Sequence, residues 1–73
     1  MQYRKKPVII EAVQFRSIEP LPDGVEYDAS GFAIIKTSEG NMRVRDGDWV
    51  ITGVKGERYP CKPDIFTATY EAV

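Results

Sequence analysis

Apolar and polar residues alternate in short runs along this chain, a pattern that predicts β-strands rather than long helices. Residues 8–15 are largely apolar on both strand faces, with Glu11 as the one charged residue, and this predicts a central strand. A carboxylate in such a run must be paired, lie at a sheet margin or titrate abnormally. An ion pair with a nearby Lys or Arg is the state we expect for Glu11.

Four further strands are predicted between turns that contain glycine. Glycine and asparagine tolerate the positive φ that tight reversals need. The second of these strands has a period of two, with Met42 and Val44 on one face and Arg43 and Arg45 on the other, so it is predicted to be half-buried. The predicted strands are residues 32–37, 41–45, 48–52 and 57–59, arranged as a meander, with the last one stopped by Pro60.

The remaining segments predict a connector, a short helix and a closing strand. Residues 16–31 combine prolines, glycines and acidic residues, which is typical of a connector without a regular element. Pro63 followed by Asp64 suits the first turn of a helix. Residues 69–73 are β-prone and are predicted to close the sheet beside the first strand.

These elements predict a mainly β protein with one domain over residues 1–73. The expected architecture is a small antiparallel sheet of five to six strands, curled or forming a partial barrel, with one short C-terminal helical turn. Its predicted core consists of Ile10, Val13, Phe15, Ile34, Val44, Trp49, Ile51, Ile65, Phe66 and Tyr70.

Length and composition limit the chemistry that the chain can perform. At 73 residues there is room for one small domain, and a homo-oligomer is one way for it to bury more apolar surface. The chain has no His and a single Cys, so Ser-His, Cys-His and Zn-His sites cannot be assembled within it. We therefore expect a protein that is not an enzyme and that holds no metal or cofactor.

Cysteine usage and hydropathy bear on localisation. One cysteine cannot form an internal disulfide, which favours a reducing, cytoplasmic setting. The apolar run after the basic opening is stopped by Glu11, so no export signal is expected, and no segment approaches the length that spans a bilayer.

The net charge of −1 conceals a strong segregation of charge along the chain. Residues 1–16 carry +3, residues 17–39 carry −4, residues 40–62 carry +2 and residues 63–73 carry −2. General nucleic-acid binding is not expected from this balance. The two basic stretches could fold together into one positive face; the alternative is a mixed, solvated surface.

A basic and aromatic set on the predicted hairpins is the strongest candidate binding surface. Arginine forks pair bidentately with carboxylate or phosphate groups, so an anionic ligand or an acidic protein surface would suit it. Lys5, Lys6 and Tyr3 would extend the set if they fold alongside. The alternative is that its charges pair across the sheet with Asp46, Asp48 and Glu57. The candidate residues are Arg43, Arg45, Lys55, Arg58, Tyr59 and Lys62.

Three other patterns favour structural roles. The glycines between residues 46 and 56 lack the spacing of a phosphate loop and predict two hairpin turns around a strand. Asp46, Asp48, Glu57 and Asp64 lack metal-loop spacing, and Asp48 is predicted to cap the turn before Trp49. Cys61 could have its thiol pKa lowered by Lys62, but without a base it is predicted to be buried at the foot of the helix.

The stretch from residue 44 to residue 66 resembles a family of small phage and prophage proteins known by a Pro-Gly-Asp-Tyr type motif, which here reads Asp46-Gly47-Asp48-Trp49. Residues 3–15 and 66–71 also look like that family. Trp for Tyr keeps an aromatic anchor, and Asp for Pro keeps a turn. The resemblance implies a phage origin and an accessory role in the cytoplasm of a bacterial host, and it transfers no catalytic residue.

Two functions remain open at this point. The first is a phage-encoded accessory protein that binds a host protein, with a possible role in counter-defence or host takeover. The second is a binding protein that sequesters an anionic metabolite or signalling nucleotide. Membrane association is expected in neither case.

Overall fold

Six short strands and one helix make up the fold. The computed structural model describes residues 1–4 and 7–73. The strands form two antiparallel three-stranded sheets: sheet A has the order β1-β5-β6, and sheet B has the order β2-β3-β4. The elements are β1 (Glu11–Gln14), β2 (Val25–Tyr27), β3 (Ala33–Thr37), β4 (Gly40–Arg43), β5 (Trp49–Thr52), β6 (Arg58–Cys61) and α1 (Pro63–Thr69). The predicted mainly β class with a short C-terminal helix is confirmed.

Side chains from both sheets meet in one apolar core. Val50 of sheet A is 3% exposed and Ile35 of sheet B is 2% exposed. Leu21, from the connector before β2, packs against the same cluster. Ile34 and Ile51 are also buried but lie outside it. The buried cluster consists of Phe15, Val25, Ala33, Ile35, Val44 and Val50.

Helix α1 covers the face of sheet A that points away from this cluster. Trp49 and Cys61 are cross-strand partners and therefore share that face. The Trp49 and Phe66 rings are stacked with their centroids 4.2 Å apart, and Phe66 also contacts the ring of Tyr70 at 5.2 Å. Pro63 opens the helix as predicted, because its missing N–H has no partner in a first turn anyway.

The first strand is at the edge of its sheet, so the prediction of a central strand over residues 8–15 was wrong. Strand β1 pairs with β5 alone, and β5 is the central strand of sheet A. The apolar content of both faces suggested burial on both sides, but Val13 remains 55% exposed. Edge position also accounts for Glu11, which is exposed and forms no ion pair with the other described residues. Of the three states considered for it, a sheet margin is the observed one.

Three other boundaries differ from the sequence prediction. The connector contains a strand, β2, whose Val25 is buried opposite Ile35 of β3. Strand β6 continues through Pro60 to Cys61, because β6 is an edge strand in which a missing N–H is tolerated. Residues 70–73 form no strand: the helix extends to Thr69 instead.

The turns use glycine much as predicted, with one topological difference. Gly47 and Gly56 both have positive φ, of 93° and 83°. The turn at Gly56 joins β5 and β6 as a hairpin, whereas the turn at Gly47 carries the chain from sheet B to sheet A. The predicted meander is therefore interrupted at this crossing.

Four members of the predicted core are correct: Phe15, Ile34, Val44 and Ile51 are buried. Val13 and Ile65 are exposed, because one lies on an edge strand and the other on the outer side of a helix that covers the sheet with one face. Met42 is exposed as well, at 42%. The half-buried members are Ile10, Trp49, Phe66 and Tyr70, and the core residues that were not predicted are Val25, Ala33, Ile35 and Val50.

Candidate functional site

The six predicted binding residues do not converge on one groove. Arg43 and Arg45 line the same groove at the end of β4. Arg58 lies at other grooves, with its side chain against Gly24. The remaining three candidate residues lie elsewhere: Lys55 is in the β5–β6 turn, Tyr59 is in β6 and Lys62 is at the start of α1.

The groove at the end of β4 combines arginine with aromatic rings, and we refer to it as the arginine groove. It is an open depression of about 360 Å³. The guanidinium carbon of Arg43 lies 3.8 Å from the centroid of the Phe32 ring, an arrangement that fixes the arginine by cation–π attraction. The lining residues are Phe15, Ser17, Tyr27, Gly31, Phe32, Ala33, Arg43, Val44, Arg45 and Asp46.

The acidic side chains that were expected to neutralise the arginines are engaged with backbone N–H groups instead. Asp46 accepts from Ser17 N at 2.7 Å, Asp48 from Arg45 N at 2.9 Å and Glu57 from Lys55 N at 3.0 Å. The bond to Asp48 closes the turn before Trp49, so its predicted capping role is confirmed. Asp and Glu side chains hold these turns because the oxygens satisfy N–H groups that no strand pairs.

Arg43 and Arg45 are consequently left without an ion-pair partner in the part of the chain that the structure describes. The ion pair found among residues 1–4 and 7–73 joins Lys36 to Glu26 at 3.2 Å, and both side chains are exposed. The alternative in which Asp46, Asp48 and Glu57 form salt bridges with the basic set is therefore wrong for these residues. Both guanidinium groups have donors free for a ligand.

Asp46 gives the groove one permanent negative charge. The Ser17 backbone N–H, and then the Ser17 hydroxyl, hold the pKa of Asp46 below its ordinary value, and the Arg16 guanidinium lowers that pKa further. Arg16 belongs to the basic stretch 1–16, and Asp46 belongs to the basic stretch 40–62. The fold therefore brings these two basic stretches together at the groove. Arg43, Arg45 and Asp46 line the groove, and Arg16 lies beside Asp46. The Asp28 and Asp48 carboxylates also lie nearby, where they accept the backbone N–H groups of Phe32 and Arg45.

Sequence reasoning missed three residues at this surface. Arg16 contributes to the positive charge of residues 1–16 but is not among the predicted binding residues. The signal that could have identified it is the prediction that the two basic stretches form one positive face. Phe32 and Tyr27 were read as strand and connector residues, yet both are exposed, by 44% and 55%. They take the place of Tyr3 and Tyr59, which were the aromatic residues expected there.

The surroundings of Tyr59 and Cys61 raise the pKa of both side chains. Burial raises the pKa of Tyr59, and a hydrogen bond with Tyr70 raises it further, so the phenol stays protonated. Burial, followed by the negative charges of Asp48 and Asp64, raises the pKa of the Cys61 thiol. Its Sγ–H faces the Lys62 carbonyl at 3.6 Å. Cys61 lies at the foot of the helix as predicted, but it is half-buried rather than buried. Its pKa is shifted in the direction opposite to the one that a nearby Lys62 charge would give.

Several predictions concern residues or features away from the groove. Lys5 and Lys6 lie outside the described residues, so their contribution to a positive face stays a prediction. Tyr3 is 87% exposed. Among residues 1–4 and 7–73, no three Cys, Asp or Glu side chains are grouped closely enough to hold a metal ion. The helix found there is too short to cross a membrane.

The arginine groove brings two guanidinium groups without ion-pair partners in the described chain together with exposed aromatic rings, and it is the candidate binding surface. Comparison of the chain with protein-family models, curated proteins and solved structures found no match.

Proposed function

We propose that this chain is a non-enzymatic binding module that docks an acidic segment of a partner protein into the arginine groove. The observation that carries the proposal is that Arg43 and Arg45 have no carboxylate partner within the described chain and lie beside exposed aromatic rings. Two guanidinium groups can each grip a carboxylate with two parallel hydrogen bonds. Arginine and tyrosine are also the residues most enriched at the energetic centres of protein interfaces.

The shape of the groove favours a protein segment over a small molecule. Sites for small ligands enclose about 70–90% of the ligand surface. The arginine groove is open, and its floor is formed by the buried side chains of Phe15, Ala33 and Val44. An extended acidic segment can lie across such a surface and contact both the arginines and the rings. The Asp46 carboxylate can then accept a backbone N–H of the same segment.

The partner we propose is a protein of a bacterial host. The resemblance to phage and prophage proteins supports this choice, together with a place of action in the host cytoplasm. A role in counter-defence or host takeover fits a small accessory protein that alters a host protein by occupying an acidic region of its surface. The absence of His and the raised pKa of the Cys61 thiol agree with a function that requires no catalysis.

An anionic metabolite or signalling nucleotide is the second candidate. The observation that favours it is the Tyr27 ring, which is 55% exposed in the same groove as two unpaired guanidinium groups. A nucleobase could stack on that ring while its phosphates bind Arg43 and Arg45. Such a ligand would be held on an open surface, which is why we rank this function second.

Affinity capture from a host lysate tests the proposal with a matched control. The bait proteins are the unmodified chain, the double variant Arg43→Gln/Arg45→Gln and the variant Arg58→Gln, which removes an arginine outside the groove. We expect a host protein that is retained by the unmodified chain and by Arg58→Gln and is lost from the double variant. Equal retention by all three proteins contradicts the proposal.

A thermal-shift panel of nucleotides separates the two functions. Ligand binding to the folded state raises the melting temperature by linkage. A rise with one nucleotide that disappears in Arg43→Gln/Arg45→Gln, together with an empty lysate capture, would favour the small-ligand function.

A further inference from the structure

The outer edge of β1 has backbone groups that are free to pair with another strand. Phe15, directly after β1, exchanges backbone hydrogen bonds with the turn that leads into β5: its N–H donates to the Asp48 carbonyl at 2.7 Å, and its carbonyl accepts from the Gly47 N–H at 2.8 Å. Inward and outward positions alternate along an antiparallel strand. Val13 and Glu11 therefore also point their backbone groups towards β5, and those of Ile10, Ala12 and Gln14 point outward.

This edge has two of the features with which proteins usually protect exposed strands: β1 is four residues long, and Glu11 places a charged side chain in it. It lacks the others, which are proline, lysine and a covering segment that is hydrogen-bonded to the strand. Residues 8–15 contain no proline and no lysine. Ile9 is 75% exposed, Val13 55% and Val8 49%. The last residues, 70–73, line a groove with residues 8–12, but within residues 7–73 they make no backbone hydrogen bond to β1.

We propose that a second copy of this chain pairs with that edge, strand β1 against strand β1, to give a continuous six-stranded antiparallel sheet. The two-fold axis passes through Ala12. Ile10 of one copy then lies opposite Gln14 of the second copy, and Ala12 lies opposite Ala12 of the second copy. All outward backbone groups of these residues are used in the pairing.

The side chains select this register over its neighbours. Moving the axis to Glu11 places two carboxylates directly opposite each other, which destabilises a strand pair. Moving it to Val13 brings Arg16 into the ladder, and the Arg16 carbonyl already accepts the Glu19 N–H at 3.0 Å. With the axis at Ala12, Glu11 faces Val13 of the second copy and small side chains meet at the centre.

A second copy is the occupant because the edge is complementary to itself. Its hydrogen-bonding positions are symmetric about Ala12, so donors and acceptors match without any other sequence. A domain of 73 residues also buries a smaller fraction of its unfolded surface than a larger domain does, and sheet extension buries more of the exposed apolar residues of the edge. The paired strand does not contribute Arg43 or Arg45, so this inference is independent of the proposed function.

Disulfide trapping tests both the pairing and its register. In a Cys61→Ala background, the variants Glu11→Cys and Val13→Cys are oxidised separately and as a mixture. Directly opposite residues without mutual hydrogen bonds have Cα atoms about 4.5 Å apart, a spacing that a disulfide accepts. We expect cross-linked dimers of the two variants in the mixture and little cross-linking of either variant alone. No enrichment in the mixture, or equal cross-linking of one variant with itself, overturns the proposed register.

Sedimentation equilibrium provides the second measurement. We expect the unmodified chain and Ala12→Ser to be dimers and Ala12→Pro to be a folded monomer, because proline removes an outward N–H that an edge strand does not need for its own fold. Far-ultraviolet circular dichroism checks that Ala12→Pro is folded, and the trapping experiment decides the matter if it is not. An unmodified chain that is monomeric at its highest soluble concentration overturns the proposal, as does an Ala12→Pro variant that is folded and still dimeric.

Discussion

Replacing Ile35 removes the side chain of sheet B that is most deeply buried in the core shared with sheet A, where it is 2% exposed. Truncation to Ala costs about 2–5 kcal/mol in a well-packed core, and truncation to Val costs about 0.5–1.5 kcal/mol. A chain of 73 residues has a total free energy of unfolding of roughly 4–11 kcal/mol. Ile35→Ala should therefore leave a marginally stable protein, and Ile35→Val should give a smaller, measurable loss.

Urea unfolding followed by Trp49 fluorescence measures these losses of unfolding free energy with a probe in the other sheet. Trp49 is the single tryptophan and lies in sheet A, stacked on Phe66, whereas the substitution is in sheet B. If the two sheets share one core, the Trp49 transition moves to lower urea in the order unmodified chain, Ile35→Val, Ile35→Ala. The control is Ile18→Val, at a position that is 89% exposed, which should change stability by less than about 0.5 kcal/mol. A Trp49 transition that stays in place when Ile35 is truncated would refute a shared cooperative core.

Three further outcomes follow from individual contacts. Asp46→Asn should lower the melting temperature near neutral pH, and the difference should shrink as pH falls below 3.8, because the folded state lowers the pKa of Asp46 and its stabilisation is lost on protonation; a pH-independent difference would show that charge is not the cause. Phe66→Ala should cost about 2 kcal/mol, roughly half the value for a fully buried ring, and should shift Trp49 emission; unchanged emission would show that the stack with Trp49 is not formed. The Cys61 thiol should react with a disulfide reagent at pH 8 more slowly than a small-molecule thiol, because burial raises its pKa, and a faster reaction would contradict this.

Local signals in the sequence predicted most elements of the fold. The hairpins β3–β4 and β5–β6 follow from alternating residues and glycine turns, and α1 follows from Pro63 and Asp64. The order of strands in a sheet depends on long-range pairing, which no local pattern reports. This explains why β1 was predicted to be central. The prolines and glycines around Val25 predicted a connector without a regular element. In the structure Val25 is paired with Ile35, so this part of the connector is the strand β2.

The candidate site was predicted in part, and for similar reasons. Arg43 and Arg45 were identified because they alternate with apolar residues on one strand. Whether Asp46 and Asp48 would pair with them depended on the turns, in which backbone N–H groups bind these carboxylates instead. Tyrosine is common in binding sites, which is why Tyr59 was a candidate, but Tyr59 lies beneath α1 and has a packing role.

Binding of an acidic segment to the arginine groove can be measured by titrating the isotope-labelled protein with a hexaglutamate peptide and following the amide chemical shifts. We expect salt-sensitive shifts concentrated at the arginine groove, at Tyr27, Phe32, Arg43 and Arg45, that are lost in Arg43→Gln/Arg45→Gln and kept in Arg58→Gln. Shifts centred on Lys55 or Arg58, or shifts that persist unchanged in the double variant, would contradict the claim that this groove is the binding surface.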